Sequence, residues 1–83
     1  MIISQVTAEM DYKIRIISDD GKKGLFDVKP YLELEAFSKL REEEEFSKIM
    51  NGGYFIEWDC GADLSADTIE CKLLPNKQDA QHQ

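Results

Sequence analysis

The sequence has little of what most enzymes and metal- or disulfide-stabilised domains need. It contains one histidine, His82, and two cysteines, Cys60 and Cys71. A histidine-based mechanism needs a rigidly held imidazole, and His82 lies in a polar stretch without core-forming residues. Two cysteines make neither a disulfide framework nor a zinc site. We therefore expect no catalytic activity, no cofactor and two ordinary thiols.

Long apolar runs and excess positive charge are also missing. No segment approaches the roughly 18 apolar residues of a membrane helix, and residues 1–3 do not begin a signal peptide. We therefore expect a cytoplasmic protein without membrane contact. The 17 acidic residues outnumber 10 basic ones, giving a net charge of -7. This sign opposes direct nucleic-acid binding, but it suits a basic protein partner as well as simple solubility.

The sequence does contain the composition of one small folded domain. At 83 residues there is no room for a second core, and 42% hydrophobic with 33% charged residues is typical of globular proteins. A domain of this size buries only about 60% of its unfolded surface, so partner binding can matter to its stability. We predict one domain over residues 1–74 and a disordered polar tail over residues 75–83.

Apolar periodicity predicts a small antiparallel sheet and a helical segment. The expected elements are strands at 3–8, 12–18 and 23–28, a helical segment over 30–50 broken near 38–41, and a strand at 54–59. Residues 51–53, Asn-Gly-Gly, are typical of a helix end with a left-handed glycine. The predicted fold class is α+β in the order β-β-β-α-β, with the broken helical segment packed on one face of the sheet.

The register of the second and third strands follows from side-chain chemistry. A two-residue turn at Asp20-Gly21 would place the Asp27 carboxylate opposite Ile14 on the apolar face, which is unfavourable. A three-residue loop with Gly21 in the left-handed conformation instead pairs Ile14 with Phe26, and the charged neighbours Lys13 and Asp27 with each other. We predict the second register.

The densest run of charge is Glu42, Glu43, Glu44 and Glu45. Acidic residues in the first turn of a helix interact favourably with its dipole, so a helix starting near Arg41 explains the run without a function. The alternative is a docking patch for a basic partner. Both interpretations stay open, and the four glutamates are candidate partner-binding residues.

A strand and corner over residues 54–69 is the second candidate region. Trp58 is either a buried lid on the core or an anchor for a partner. Asp59, Asp63 and Asp67 recur every four residues, but this spacing does not match a calcium loop. We expect Asp63 or Asp67 to accept hydrogen bonds from nearby amides, and Ser65 to cap a short turn.

These residues resemble a family signature. The stretch with Trp58, Gly61-Ala62-Asp63-Leu64 and Asp67-Thr68-Ile69 is similar to the W-x-x-G-A-D-L-x-x-D-T-L pattern of the bacterial domain of unknown function 2442. The similarity covers about residues 3–70. It implies a compact α+β domain in which Trp58, Gly61, Asp63, Asp67 and Thr68 are the structural signature. At Asp59-Cys60 the chain departs from relatives that often carry Pro-Asn there.

The resemblance implies no activity. Some short relatives are encoded beside another small protein as suspected toxin-antitoxin partners. We therefore expect a non-catalytic interaction or regulatory module, antitoxin-like, whose protein partner is basic and encoded nearby. The alternative is a domain that binds a small ligand or metal at the corner from Trp58 to Asp67. Self-association through the edge strand at residues 3–8 is a further expectation.

Overall fold

A computed structural model of the chain describes residues 1–75 and contains two antiparallel sheets with short helices between them. The strands are β1 Ile3–Ala8, β2 Lys13–Ser18, β3 Lys23–Asp27, β4 Ile49–Asn51, β5 Phe55–Trp58, β6 Asp63–Ser65 and β7 Leu74–Pro75. The helices are α1 Glu43–Phe46 and α2 Ala66–Lys72, with 3-10 turns at Met10–Tyr12, Lys29–Glu33 and Glu35–Arg41. The predicted α+β class is confirmed.

The first sheet has the strand order β1-β2-β3-β7. Its register is the predicted one: Ile14 lies opposite Phe26 and Lys13 opposite Asp27. The Ser18 amide donates to the Lys22 carbonyl at 2.9 Å, which leaves a three-residue loop containing Gly21 at φ +93°. This register separates apolar from charged side chains. It is favoured because the alternative register would bury the Asp27 carboxylate.

The second sheet, in the order β4-β5-β6, differs from the single sheet predicted from the sequence. Residues 51–53 do not end a helix. The Gly52 amide donates to the Phe55 carbonyl at 2.8 Å, so these residues form the β4–β5 hairpin turn, with Gly53 at φ +86°. Glycine accommodates this conformation as readily in a hairpin turn as at a helix end.

The helical segment predicted over residues 30–50 is shorter and more broken than expected. It ends at Phe46, and its interruptions fall at Leu34 and Glu42, whose backbones are extended. Most of it is 3-10 helix, so the expected break near 38–41 lies inside a 3-10 helix. Only α1 has α-helical geometry, over four residues.

Hydrogen bonds join the two sheets at one end of β1. The Ile3 amide donates to the Gly53 carbonyl at 2.7 Å, and the Asn51 side chain donates to the Ile3 carbonyl at 2.9 Å. Strand β1 is an edge of the first sheet, but its Ile3 end is therefore already bonded to the second sheet. Self-association through this strand stays a prediction, restricted to residues 5–8.

The core lies between the two sheets and the helical segment. Its buried side chains include residues from both sheets, from both 3-10 helices of residues 29–41 and from both α-helices. No helix within residues 1–75 has the length and apolar character needed to cross a membrane. Of the predicted tail over residues 75–83, Pro75 pairs with Gly24 in β7, and residues 76–83 lie outside the described part of the chain.

The Gly21 loop yields a test of the first sheet. Nothing lies within 4 Å of a Cβ added at Gly21, so Gly21→Ala meets only the strain of its φ of +93°. We expect a loss of about 1–2 kcal/mol in the free energy of unfolding, measured by urea denaturation. Asp19→Ala in the same loop is the control and should change it by less than about 0.5 kcal/mol. Equal effects of the two substitutions would contradict the left-handed loop.

Candidate partner-binding surface

The indole of Trp58 is at the centre of the core. The side chain is 1% exposed, and its Nε1–H donates to the Phe46 carbonyl at 2.9 Å. That carbonyl belongs to the last residue of α1, where helical carbonyls lack partners within the helix. Trp58 therefore attaches β5 to the end of α1. Its ring has no surface left for a partner in this conformation, so the interpretation of Trp58 as a contact anchor is corrected.

Six aromatic rings form a continuous chain through the core. Ring centroids of successive members are 5.3 to 6.2 Å apart, within the range of favourable aromatic pairs. In order, the rings are Tyr12, Phe46, Trp58, Phe37, Tyr31 and Phe26. The chain connects the first sheet, the helical segment and the second sheet through side chains far apart in sequence.

The corner after Trp58 is a tight hairpin followed by a capped helix. The Trp58 amide donates to the Ala62 carbonyl at 2.8 Å, with Gly61 at φ +101° in the intervening loop. Strand β6 then leads into α2, where the Ser65 hydroxyl accepts from the Thr68 amide at 3.1 Å. The capping role predicted for Ser65 is confirmed, and the turn it begins extends to Lys72 as a helix.

The carboxylates of this corner do not accept the predicted backbone hydrogen bonds. Among the hydrogen bonds of residues 1–75, neither Asp63 nor Asp67 accepts from a backbone amide, and the residue that caps α2 is Ser65. The described residues also contain no group of three or more histidine, cysteine, aspartate or glutamate side chains arranged to hold a metal. Cys60 is half-buried, Cys71 is exposed, and both are free thiols.

The acidic run lies at the start of α1. Glu43, Glu44 and Glu45 are in its first turn, in agreement with the helix-dipole interpretation, but a helix of four residues has only a small dipole. The side chains of Glu42, Glu43 and Glu44 are exposed, and Glu45 pairs with Lys48 at 3.3 Å. With Lys39 and Asp59, Glu42 and Glu45 line a shallow cleft. The run is therefore available to solvent and to a partner.

Negative charge is concentrated in one part of the chain. Residues 33–70 contain eleven acidic and three basic side chains, whereas residues 1–32 contain five of each. The outer face of the first sheet carries Lys13, Arg15 and Lys23 together with Asp27, which lies opposite Lys13, while that of the second sheet carries Glu57 and Asp63. Basic side chains are therefore in excess among the strand residues of the first outer face, and only acidic ones are charged on the second.

The outer face of the second sheet also exposes large apolar side chains, which sequence reasoning missed. On this face Met50 and Phe55 are 51% and 42% exposed. Tyr54, the residue before β5, is 70% exposed, and the three are among the six large apolar side chains exposed in the described part. Met50 lies opposite Glu57, and Glu57 lies opposite Asp63. We call Met50, Phe55, Glu57 and Asp63 the hairpin face. Alternation alone does not reveal it, because both faces of β5 carry aromatic residues.

A second cleft lies beside the Met10–Tyr12 turn, where Asp11 and Tyr12 have φ values of 60° and 59°. Lys29 Nζ lies 2.7 Å from Asp11 Oδ1, and Lys13 Nζ lies 3.3 Å from Oδ2. The hydrogen bond from Lys29, followed by that from Lys13, lowers the pKa of Asp11. Asp11 tolerates the left-handed conformation better than most residues, and these contacts help to hold the turn.

The architecture and surface together define a small α+β domain with two antiparallel sheets, a filled aromatic core and an acidic, partly apolar outer face. The chain belongs to the family described as protein of unknown function (DUF2442), whose model matches residues 3–72. No curated protein and no solved structure matches the chain. The family match agrees with the resemblance in the Trp58 to Ile69 signature and assigns no function.

Trp58→Phe tests the attachment of β5 to α1. The substitution removes the indole N–H and leaves the Phe46 carbonyl without its donor in a site too large for the new ring. We expect a loss of about 2–4 kcal/mol in the free energy of unfolding by urea denaturation. Tyr54→Phe, at an exposed aromatic, should change it by less than about 0.5 kcal/mol. If Trp58→Phe lowers the free energy of unfolding by less than about 1 kcal/mol, the indole hydrogen bond and the packing of the ring contribute little to stability.

The Met10–Tyr12 turn yields a pH prediction. Because the folded-state pKa of Asp11 is lowered, its contribution to stability is present above the ordinary value of 3.8 and is lost as pH falls through the lowered pKa. Carboxyl NMR titration should find the Asp11 pKa below 3.8 in the wild type. In Lys29→Met it should rise, and in the control Lys39→Met it should not. An Asp11 pKa unaffected by Lys29→Met would refute the contact.

Proposed function

We propose that the chain is a non-catalytic, cytoplasmic interaction module that binds a basic protein encoded nearby, in the manner of an antitoxin. The observation that carries the proposal is the concentration of uncompensated carboxylates in residues 33–70. Of the four glutamates in the acidic run, only Glu45 has a cationic partner among the described ion pairs. A surface of one sign raises the rate of encounter with a partner of opposite sign.

The location of the run supports this proposal. Because α1 has only four residues, it cannot be stable on its own, and it depends on the packing of Phe46 against Trp58 and Tyr12. Glu42, Glu43 and Glu44 therefore project from a backbone that the core holds in place. A charged surface on a fixed backbone loses less conformational entropy on binding than one on a mobile loop.

The alternative, a small-ligand or metal site at the corner from Trp58 to Asp67, has less support. Trp58 is buried, and Asp59, Asp63 and Asp67 do not converge with other possible ligands within the described residues. We therefore retain the interaction module as the proposal.

Co-expression with the small basic protein encoded beside this chain tests the proposal. We expect the two to co-elute in size-exclusion chromatography and their affinity to fall as salt is raised, because exposed charges are screened. The double variant Glu43→Lys with Glu44→Lys should lower the association rate several-fold. Glu33→Lys with Glu35→Lys makes the same change in net charge outside the acidic run and should have a smaller effect.

Absence of a complex at low salt would refute the proposed function. If both double variants lower the association rate equally, net charge rather than the acidic run is responsible. That result would remove the acidic run from the proposal.

A further inference from the structure

The hairpin face combines apolar exposure with rigidity. Phe55 lies over Gly52 so closely that a Cβ on Gly52 would overlap its ring. The Gly53 amide donates to Asn51 Oδ1 at 2.8 Å, and the Asn51 side-chain amide reaches the Ile3 carbonyl. The turn is thus bonded to itself and to β1. An exposed aromatic ring on a fixed backbone is the kind of residue that dominates binding energy in protein interfaces.

The same face carries an unfavourable charge pair. Glu57 on β5 lies directly opposite Asp63 on β6, and like charges in such a cross-strand pair are destabilising. Within residues 1–75 neither carboxylate has a cation within 4.0 Å. The isolated chain therefore retains a repulsion that a cationic group of another molecule would relieve.

From these observations we propose that the hairpin face is the docking surface for the basic protein partner, an inference that rests on the proposed function. Apolar side chains of the partner cover Met50 and Phe55, and its lysine or arginine side chains neutralise Glu57 and Asp63. A second copy of this chain fits less well, because a two-fold interface centred on this face would bring four carboxylates together.

The acidic run and the hairpin face then have separable roles. Exposed charges at the rim of an interface act mainly on the association rate, whereas a buried aromatic anchor acts mainly on the dissociation rate. The run of Glu42 to Glu45 accelerates encounter, and the hairpin face holds the complex together.

Binding kinetics of the purified full chain with the basic protein encoded beside it test the inference. Phe55→Ser should raise the dissociation rate about tenfold or more. Gly52→Ala, which displaces the same ring without removing it, should act in the same direction. Leu34→Ser is the matched control: Leu34 is 53% exposed, but it lies in a separate groove with Phe26 and Tyr31, and the substitution should leave the dissociation rate within about twofold.

Asp63→Asn provides a readout that general destabilisation cannot imitate. Removing the repulsion with Glu57 should raise the urea midpoint of the free chain, while the loss of a charge that meets the partner should weaken the complex. Asp67→Asn, at an exposed carboxylate in the first turn of α2, makes the same change in net charge. It should not both raise the urea midpoint and weaken the complex.

The outcomes separate the two proposals. A wild-type complex weakened by Phe55→Ser and Asp63→Asn but not by Leu34→Ser supports the docking surface. A wild-type complex that tolerates Phe55→Ser as well as Leu34→Ser overturns the docking surface and leaves the interaction module standing. A wild-type chain that forms no complex overturns both.

Discussion

The hydrogen bond from the Trp58 indole to the Phe46 carbonyl is the constraint on which the rest of the structure depends. It joins β5 to the end of a helix that is too short to form alone, and it orients the ring that Phe46 and Phe37 pack against. A buried carbonyl without a donor would be unfavourable, so the indole is needed for its polar edge as well as its size. Through this contact the aromatic core holds the acidic run in place.

Each sheet packs one face into the core, and this packing determines which side chains remain exposed on its other face. The inward side chains of β5, Ile56 and Trp58, are buried, whereas Phe55 on the opposite face is 42% exposed with its ring against Gly52. Met50, Phe55 and Asp63 on this outer face are exposed, so apolar and acidic side chains of the second sheet are accessible. The proposed function and docking surface both follow from a core that uses one face of a three-stranded sheet.

The sequence predicts the features that depend on local chemistry. The register at Gly21 follows because the other register would bury Asp27, and the Ser65 cap follows from its position before a helix. Strand β4 and the β4–β5 turn were not predicted, because their sequences are compatible with two structures. Ile49 and Met50 fit a helical stripe as well as a three-residue strand, and Asn51-Gly52-Gly53 is compatible with a helix end and with a hairpin turn. Tertiary pairing with β5 decides both cases.

The most direct test of the central contact is native-state hydrogen exchange at the Trp58 indole N–H, followed by NMR. If the indole bond holds the sheets and α1 together, this proton exchanges only through global unfolding, and its exchange free energy equals the unfolding free energy from denaturation. Exchange orders of magnitude faster, in a chain whose global stability is unchanged, would show that the indole bond opens independently and would contradict the account.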